Sequence, residues 1–315
     1  MRIVFFGTSR FAAAILESLL QDKYNIIAVV TRVDSKQGRN LSLAYSPVKK
    51  LALSFPSIPI FQPEKASASD FISAIAALQP DLFLVVAYGK ILRERLLAIP
   101  KRGSINVHTS LLPKYRGAAP IQRALMNGEE KSGVTVIEIT PEMDAGDILE
   151  KASIFIPSDM TFGELENEMI LSSCKILPQV IQSIESGIIR KHKQDHKAAT
   201  YANKIDKTDL KISWTKPAYV LHNQIRAFSP EPGAWSDLIL SNGIKKRLKI
   251  LKSHVHPGYL IPPATIIEYT ESKWLVSCGQ ESALEILLVQ LEGKKRCSFK
   301  EFVRGNKIKG FGHAC

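Results

Sequence analysis

The sequence predicts an α/β fold with a doubly wound, mostly parallel sheet, followed by a smaller C-terminal β-barrel domain of the OB-like type. Three observations support this prediction. Short apolar runs alternate with helical segments over the first half of the chain. These runs are continuous rather than alternating, which is typical of strands buried on both faces. After about residue 190, short strands separated by turn residues replace the alternation.

The predicted elements of the first part follow a regular order. The strand RIVFF, the helix FAAAILESLLQ and the strand NIIAVVT come first. The helix SPVKKLALS, the short strand IPIF, the helix DFISAIAALQ and the strands DLFLVVA and GSINVH follow. GVTVIEIT alternates in polarity and DILEKASIFIP continues the strand character, so we expect an antiparallel far edge. A last helix begins at a capping box of Thr161 and Glu164 and ends at Gly187.

The second part of the chain has a different composition. Residues 189–206 are polar and basic without an apolar period, which is typical of a linker. One helix, KPAYVLHNQIRAF, then precedes about five strands at spacings of roughly ten residues, a pattern typical of a small barrel. We therefore expect a first domain over residues 1–188, a basic linker over 189–206, and a C-terminal β-barrel domain over 207–315.

Composition excludes several classes of protein. The chain has 315 residues, of which 45% are hydrophobic and 8% aromatic, and this suits two globular domains. No window approaches the ~20 apolar residues that span a bilayer, and the first apolar run is too short for a signal peptide. The four cysteines have no paired spacing, which argues against disulfides or a zinc site. We expect a reducing compartment, the cytoplasm.

Positive charge is concentrated in the second part of the chain. The formal net charge is +12, and residues 1–188 hold 20 Lys and Arg against 19 Asp and Glu. Residues 189–315 hold 22 against 11, so this part alone carries +11. A basic, solvated surface is one explanation. A footprint for a phosphate backbone is the sharper one, because such patches bind nucleic acid through counterion release.

The strand GSINVH places an amide and an imidazole where a ligand is expected. Asn106 and His108 lie two residues apart, hence on one face, at the carboxyl end of a predicted parallel strand. Asp144 lies in the loop after GVTVIEIT, and it comes beside His108 if the two strands are neighbours. A structural histidine and Asx turns at Asp144 and Asp147 are the plainer alternatives. Together, however, the three groups suit direct acyl transfer: an oxyanion donor, a proton shuttle and an orienting carboxylate.

Other motifs are less specific. FFGTSRFA has one glycine of the three in a dinucleotide fingerprint, so a tight turn at Gly7 capped by Thr8 or Ser9 is the simpler explanation. The loop RVDSKQGRNLSLAYSP is long enough to be functional and contains Arg32, Lys36 and Arg39. Arg116 could bind a substrate or pair with a carboxylate. Histidines are dispersed, and no three ligands have metal spacing.

The combination of GSINVHTSLLPKYRGAAPIQRAL with MDAGDIL resembles the formyltransferase family that uses 10-formyltetrahydrofolate. The similarity runs almost end to end, through GTSRFA, SPVK, VVAYGKIL, TYANKI, IRAFSPEPGAW and GKK, and it is greatest to members that formylate methionyl-initiator tRNA. The resemblance implies a Rossmann-like catalytic domain, with the C-terminal barrel holding the tRNA. It also implies a folate cosubstrate and no metal.

Roles for individual residues follow from the same resemblance. The resemblance implies that the catalytic residues are Asn106, His108 and Asp144. Folate contacts are expected from groups near these three: Val86, Tyr88, Gly89, Ser110, Leu111, Leu112, Pro113 and Asp147. Contacts to tRNA are expected from basic side chains of the long loop, the domain junction and the following helix: Arg32, Lys36, Arg39, Lys204 and Arg226.

The leading hypothesis is therefore formyl transfer to the α-amine of methionyl-initiator tRNA by a monomeric enzyme. The closest alternative keeps the chemistry and changes the acceptor to an amino-sugar nucleotide or glycinamide ribonucleotide. Binding of a small acceptor would not explain why residues 189–315 carry a net charge of +11. A non-catalytic RNA-binding protein and a formyl-folate hydrolase are the two further alternatives.

Overall fold

Two seven-stranded sheets organise the chain in the computed structural model, which describes residues 1–37 and 42–312. The chain divides into two units. The first comprises Met1–Pro120, Lys131–Ile154 and Glu166–Ala202. The second comprises Ile121–Glu130, Phe155–Leu165 and the chain from Asn203 onward. The domain boundaries expected at residues 188 and 206 stay predictions.

The elements up to residue 202 alternate between strand and helix. The strands are β1 (Ile3–Gly7), β2 (Ile26–Val30), β3 (Ser35–Gln37), β4 (Ser42–Ala44), β5 (Ile60–Phe61), β6 (Leu82–Val86), β7 (Ser104–His108), β8 (Arg116–Gly117), β9 (Lys131–Glu138), β10 (Ile148–Phe155) and β11 (Tyr201–Ala202). The helices are α1 (Arg10–Gln21), α2 (Pro47–Ala52), α3 (Ser69–Ala77), α4 (Glu94–Leu97), α5 (Pro120–Met126) and α6 (Phe162–Ser186).

The first sheet has the strand order β10-β9-β7-β6-β1-β2-β5. Its strands from β7 to β5 are parallel, whereas β9 runs antiparallel to β7. Every residue of β1 and β6 is buried, which requires cover on both faces of the sheet. On one face, Phe71 and Ile75 of α3 and Leu96 of α4 pack in the same cluster as β1 side chains. The predicted doubly wound, mostly parallel sheet is confirmed.

Local sequence signals set the ends of several helices. Ser9 accepts a hydrogen bond from the Ala12 amide and caps α1. At the start of α6, the hydroxyl of Thr161 accepts from the Glu164 amide, while the Glu164 carboxylate accepts from the Thr161 amide. These reciprocal bonds form a capping box. The helix ends before Gly187, whose φ of 74° lies in the left-handed region that glycine adopts easily.

The second unit is built on an antiparallel sheet. Its strands are β12 (Ala234–Leu240), β13 (Lys245–Pro257), β14 (Ile266–Tyr269), β15 (Trp274–Cys278), β16 (Ser282–Leu291), β17 (Arg296–Ser298) and β18 (Ile308–Phe311). Its later helices are α7 (Ala218–Ala227) and α8 (Phe299–Gly305). The strand order is β14-β15-β16-β13-β12-β18, and β17 pairs with β16.

An aromatic core shows that this second sheet curls. The Trp274 ring on β15 is stacked against Phe302, at 5.2 Å between centroids, and against Phe311 on β18, at 6.0 Å. Because β15 and β18 lie near opposite ends of the strand order, the sheet must bend until its ends share one core. The predicted barrel-like fold is confirmed. The sequence did not suggest α8 or β18.

Two segments have more structure than their composition suggests. The long loop contains the short antiparallel pair β3 and β4. The segment treated as a linker is tied to the first unit: His192 forms a bridge with Ile148, and β11 runs parallel to β8. Among the described residues, none of the helices combines the length and the hydropathy of a membrane span.

Candidate active site

Asn106 and His108 lie at the carboxyl end of β7, which pairs with β6 on one side and with β9 on the other. Asn106 lies opposite Val85 of β6 and Ile137 of β9. His108 lies opposite Thr135 of β9. The chain leaves β1 toward β2 on one side and returns to β6 on the other, so the strand order reverses beside β1. Crevices outside the carboxyl ends of strands at such a reversal are where open α/β sheets bind ligands.

The hydrogen bonds of the His108 ring fix its tautomer. The imidazole is buried, and its Nε2 atom lies 2.9 Å from the carbonyl oxygen of Tyr115. A carbonyl can only accept a hydrogen bond, so Nε2 must carry the proton. The Nδ1 atom is therefore free for proton exchange. It faces Oδ2 of Asp144 at 3.6 Å, which is too long for a hydrogen bond and becomes an ionic contact when the ring is protonated.

The Asp144 carboxylate is held from a second direction. Its Oδ2 atom accepts a hydrogen bond of 2.8 Å from the amide of Gly117. Gly117 has a φ of 121°, and a Cβ atom there would lie 2.7 Å from the carbonyl oxygen of Ala202. Only glycine fits this position, because any side chain would force β8 and β11 apart. The geometry of Asp144 thus depends on β11 as well as on its own loop.

These three side chains line a cavity of about 620 Å³. That volume is in the usual range for small-molecule sites. Its wall includes Tyr88 and Gly89 after β6 and the run Ile137–Asp144, which covers the end of β9 and the loop that follows. Within the described part of the chain, the Asn106 side chain has no hydrogen-bond partner, so its amide is available to a ligand. Burial raises the pKa of the Tyr88 phenol to about 12, although the positive charge of Arg32 opposes this.

Comparison with known proteins identifies the family. A model of the formyl transferase family matches residues 1–181, and a model of the formyl transferase C-terminal domain matches residues 204–307. The chain belongs to the formyl transferase family.

Relatives of this formyl transferase extend over almost its whole length. It is 42% identical over 305 residues to the methionyl-tRNA formyltransferase of Protochlamydia amoebophila, covering 97% of this chain and 95% of the relative. It is 39% identical over 308 residues to the methionyl-tRNA formyltransferase of Acetivibrio thermocellus, covering 98% and 97%.

Solved structures share its fold at lower identity. An N-formyltransferase from Helicobacter canadensis, in complex with folinic acid and dTDP-3-aminofucose, is 21% identical with a TM-score of 0.64, covering 90% of this chain and 98% of that one. HypX from Aquifex aeolicus in complex with tetrahydrofolic acid is 14% identical with a TM-score of 0.64, covering 100% and 51%.

The structure separates the residues expected to contact folate into two groups. Tyr88 and Gly89 line the cavity of this formyl transferase. Six other residues do not belong to the described lining of that cavity: Val86, Ser110, Leu111, Leu112, Pro113 and Asp147. Ser110 is fully buried, and its hydroxyl donates to the carbonyl of Lys114 at 2.6 Å. Folate contacts by these six residues stay predictions.

The residues expected to contact tRNA differ in exposure. Arg32 is exposed and lies against Gly89 at the cavity, and Lys204 is also exposed. Arg226 is 5% exposed, and its guanidinium donates to Asn223 Oδ1 and to the carbonyls of Pro157 and Met160, which favours a structural role. Arg39 lies outside the described residues, and only the backbone of Lys36 is described. Contacts to tRNA by all five stay predictions.

The sequence reasoning singled out Arg116 near the site but missed two polar residues, Gln194 and Thr200. Gln194 lies within the segment interpreted as a linker, yet it is 6% exposed. Arg116 is 1% exposed and donates to Gln194 Oε1, with a longer contact of 3.6 Å to Glu142. The hydroxyl of Thr200 accepts from the Tyr115 amide at 2.9 Å. A polar run without period carries no local signal that its side chains are buried.

Proposed function

We propose that the chain transfers the formyl group of 10-formyltetrahydrofolate to the α-amine of methionyl-initiator tRNA, giving N-formylmethionyl-tRNA for translation initiation. The observation that carries the proposal is the Asn106 amide, which has no hydrogen-bond partner among the described residues and lies beside His108 and Asp144 in one cavity. Family membership and relatives named methionyl-tRNA formyltransferase, at about 40% identity, support the same reaction. A folate-derived donor fits this family, since two proteins of similar fold are complexed with folates.

The first step is attack of the neutral α-amine on the formyl carbon. A carbon–nitrogen bond forms, and the carbonyl π electrons move to oxygen to give a tetrahedral oxyanion. Asn106 donates a hydrogen bond from its side-chain amide to this oxygen. Free α-amines titrate at about 7.7–8.0, so a substantial neutral fraction exists near neutral pH and positioning matters more than base strength.

The second step breaks the bond between the formyl carbon and N10. The oxyanion collapses, N10 leaves with the bonding electrons, and it must gain a proton while the attacking amine loses one. His108 handles this proton at Nδ1, because Nε2 is committed to the Tyr115 carbonyl. Asp144 faces Nδ1 and stabilises the protonated imidazole. Formyl-methionyl-tRNA and tetrahydrofolate are the products, so no net proton is consumed.

The choice of tRNA as acceptor is supported by the second unit. One face of β13 carries Lys245, Arg247 and Lys249, which are exposed or half-buried. Leu248 points to the opposite face and is buried. Arg247 lies 4.0 Å from the Trp235 ring centroid, and Lys211 lies 5.7 Å from it. Positive side chains next to an aromatic ring suit a nucleic-acid backbone and its bases. We place the reaction in the cytoplasm and propose that the enzyme acts as a monomer.

A competition of acceptors tests the proposal. Formyl-labelled 10-formyltetrahydrofolate is offered together with methionyl-initiator tRNA, an amino-sugar nucleotide, glycinamide ribonucleotide and water. We expect label on the tRNA, and its binding should weaken steeply with salt, by about 0.9 in log K per decade of salt for each duplex phosphate contacted. If the label appears on a small acceptor and binding of tRNA does not change with salt, the small molecule is the acceptor and the proposal is wrong. Free labelled formate alone would indicate a hydrolase.

A further inference from the structure

We propose that Gln194 is a positioning residue that holds Asp144 in the orientation facing His108. The inference rests on the proposed function, because it assigns Gln194 a role in the same reaction. Gln194 is not itself among the described residues that line the cavity, and it reaches the site through its hydrogen bond to Asp144, which does line it. The proposal also assigns a role in catalysis to residues 189–206, a segment whose composition is typical of a solvated linker.

All the hydrogen-bonding groups of the Gln194 amide are engaged. Its Nε2 atom donates to the carbonyl oxygens of Asp144 and Gly146, each at 2.8 Å. Its Oε1 atom accepts from Arg116, at 2.8 Å from Nη2 and 3.2 Å from Nε. A side-chain amide with both donors and its acceptor satisfied has one fixed orientation. Gln194 is therefore a rigid clamp on two carbonyls of the Asp144 loop.

The Asp144 loop needs such a clamp because its backbone is strained. Asp144 has a φ of 51°, in the left-handed region that non-glycine residues rarely adopt. The carbonyls of Asp144 and Gly146 converge on one amide group, which fixes the peptide planes after the strained residue. Without the clamp, the backbone can relax to the right-handed region. That rotation would swing the carboxylate away from His108 Nδ1.

Arg116 connects the clamp to the second contact of Asp144. Arg116 is buried against Gln194, and the next residue, Gly117, donates its amide to the Asp144 carboxylate at 2.8 Å. Asp144 is thus held at its backbone through Gln194 and at its side chain through Gly117. Loss of the first contact should therefore loosen the second, which can be measured at the Gly117 amide without any assay of activity.

A matched control is available in the second unit. Gln224 is also 6% exposed, and its Nε2 donates to the carbonyls of Asp209 and Lys211 at 2.8 and 3.1 Å. Gln224→Met therefore removes the same pair of donations to backbone carbonyls from a buried amide as Gln194→Met. Any general cost of losing two hydrogen bonds to carbonyls is common to both variants. An effect on Asp144 is expected from Gln194→Met alone.

Steady-state kinetics on the full chain test the role of the two donors. We expect Gln194→Met to lower kcat by about 10–100-fold, the range seen when residues that orient metal ligands are replaced. KM values for folate and tRNA should stay within about threefold, and Gln224→Met should keep the wild-type kcat. Gln194→Glu keeps an acceptor for Arg116 and loses both donations, so its kcat should fall as well. Wild-type kcat in Gln194→Glu would overturn the proposal.

A double variant shows whether Gln194 acts through Asp144. In Gln194→Met combined with Asp144→Asn, we expect turnover no lower than in Asp144→Asn alone, because residues that act as a unit are not additive. Hydrogen exchange at the Gly117 amide should be at least about tenfold faster in Gln194→Met than in wild type. Losses that multiply, or unchanged Gly117 exchange, would contradict the positioning role. Wild-type turnover in Asp144→Asn would instead refute the proposed mechanism, and the exchange measurement would still decide the inference.

Discussion

Replacement of Asn106 by alanine is the most direct test of the proposed chemistry. The Asn106 amide lines the cavity and has no hydrogen-bond partner among residues 1–37 and 42–312, so the substitution breaks no bond that the fold needs. We expect the free energy of unfolding to change by less than about 1 kcal/mol. Turnover should fall by about 10²–10³, equivalent to about 2.7–4 kcal/mol, the loss for one oxyanion donor.

The measurement separates chemistry from binding. Single-turnover transfer is followed with enzyme in excess and folate saturating, so the observed rate constant reports the chemical step. Asn106→Asp keeps the shape of the side chain but replaces the donor by a carboxylate, and we expect a larger loss because this charge repels the oxyanion. Asn25→Ala is the control: Asn25 is exposed and precedes β2, at the amino ends of the parallel strands.

The outcome that contradicts the assignment is specific. If folded Asn106→Ala transfers formyl groups within twofold of wild type, no oxyanion donation takes place at this amide. If Asn25→Ala loses as much activity as Asn106→Ala, the effect is not local to the site. If Asn106→Ala raises KM for folate and keeps kcat, the amide binds the ground state and the transition state equally and gives no selective stabilisation of the tetrahedral intermediate.

Three further predictions concern stability. Gly146→Ala would place Cβ 1.9 Å from the carbonyl oxygen of Glu138, so we expect the free energy of unfolding in urea to fall by about 1–3 kcal/mol or more. In Gly243→Ala the new Cβ would meet no described atom within 4 Å, so this control should cost about 1 kcal/mol through its φ of 82° alone. Burial lowers the pKa of His222 below its ordinary value of 6.5; the unfolded chain therefore binds the proton more readily, and the melting temperature should fall as pH drops below about 6.5, less so in His222→Gln. If the difference in melting temperature between the wild type and His222→Gln does not change with pH, this prediction is wrong. Tyr88 Oη is buried without a partner among the described residues, so Tyr88→Phe should leave stability unchanged or raise it by about 1 kcal/mol, with KM for folate within twofold; a clear loss of stability would show that the hydroxyl is bonded.

The arrangement of the three catalytic candidates could be expected from the sequence because strand geometry constrains it. A period of two residues puts Asn106 and His108 on one face, and pairing of β7 with β9 brings the loop of Asp144 beside them. The antiparallel edge was likewise visible in the alternation of GVTVIEIT. These features depend only on local periodicity and on which strands are neighbours.

Features set by burial could not be predicted in the same way. Ser110 is a residue type that often contacts ligands, yet its hydroxyl donates a hydrogen bond to the carbonyl of Lys114. Arg226 is a residue type that often binds phosphate, yet its guanidinium donates to the backbone carbonyls of Pro157 and Met160. Gln194 shows the opposite case, a buried amide within a polar run that resembles a linker. In each case the partners include a backbone carbonyl, and backbone carbonyls leave no mark in an amino-acid sequence.

The two halves of the site therefore differ in how they are positioned. Asn106 and His108 lie on a strand hydrogen-bonded on both sides, so their geometry is fixed by the sheet and tolerates changes elsewhere. Asp144 lies in a left-handed conformation outside the sheet, and its geometry depends on Gly117 and Gln194. Substitutions that leave the fold intact should consequently impair proton transfer, through Asp144, more often than they impair oxyanion binding, through Asn106. Variants selected at random outside the cavity should then lose kcat while keeping their affinity for folate.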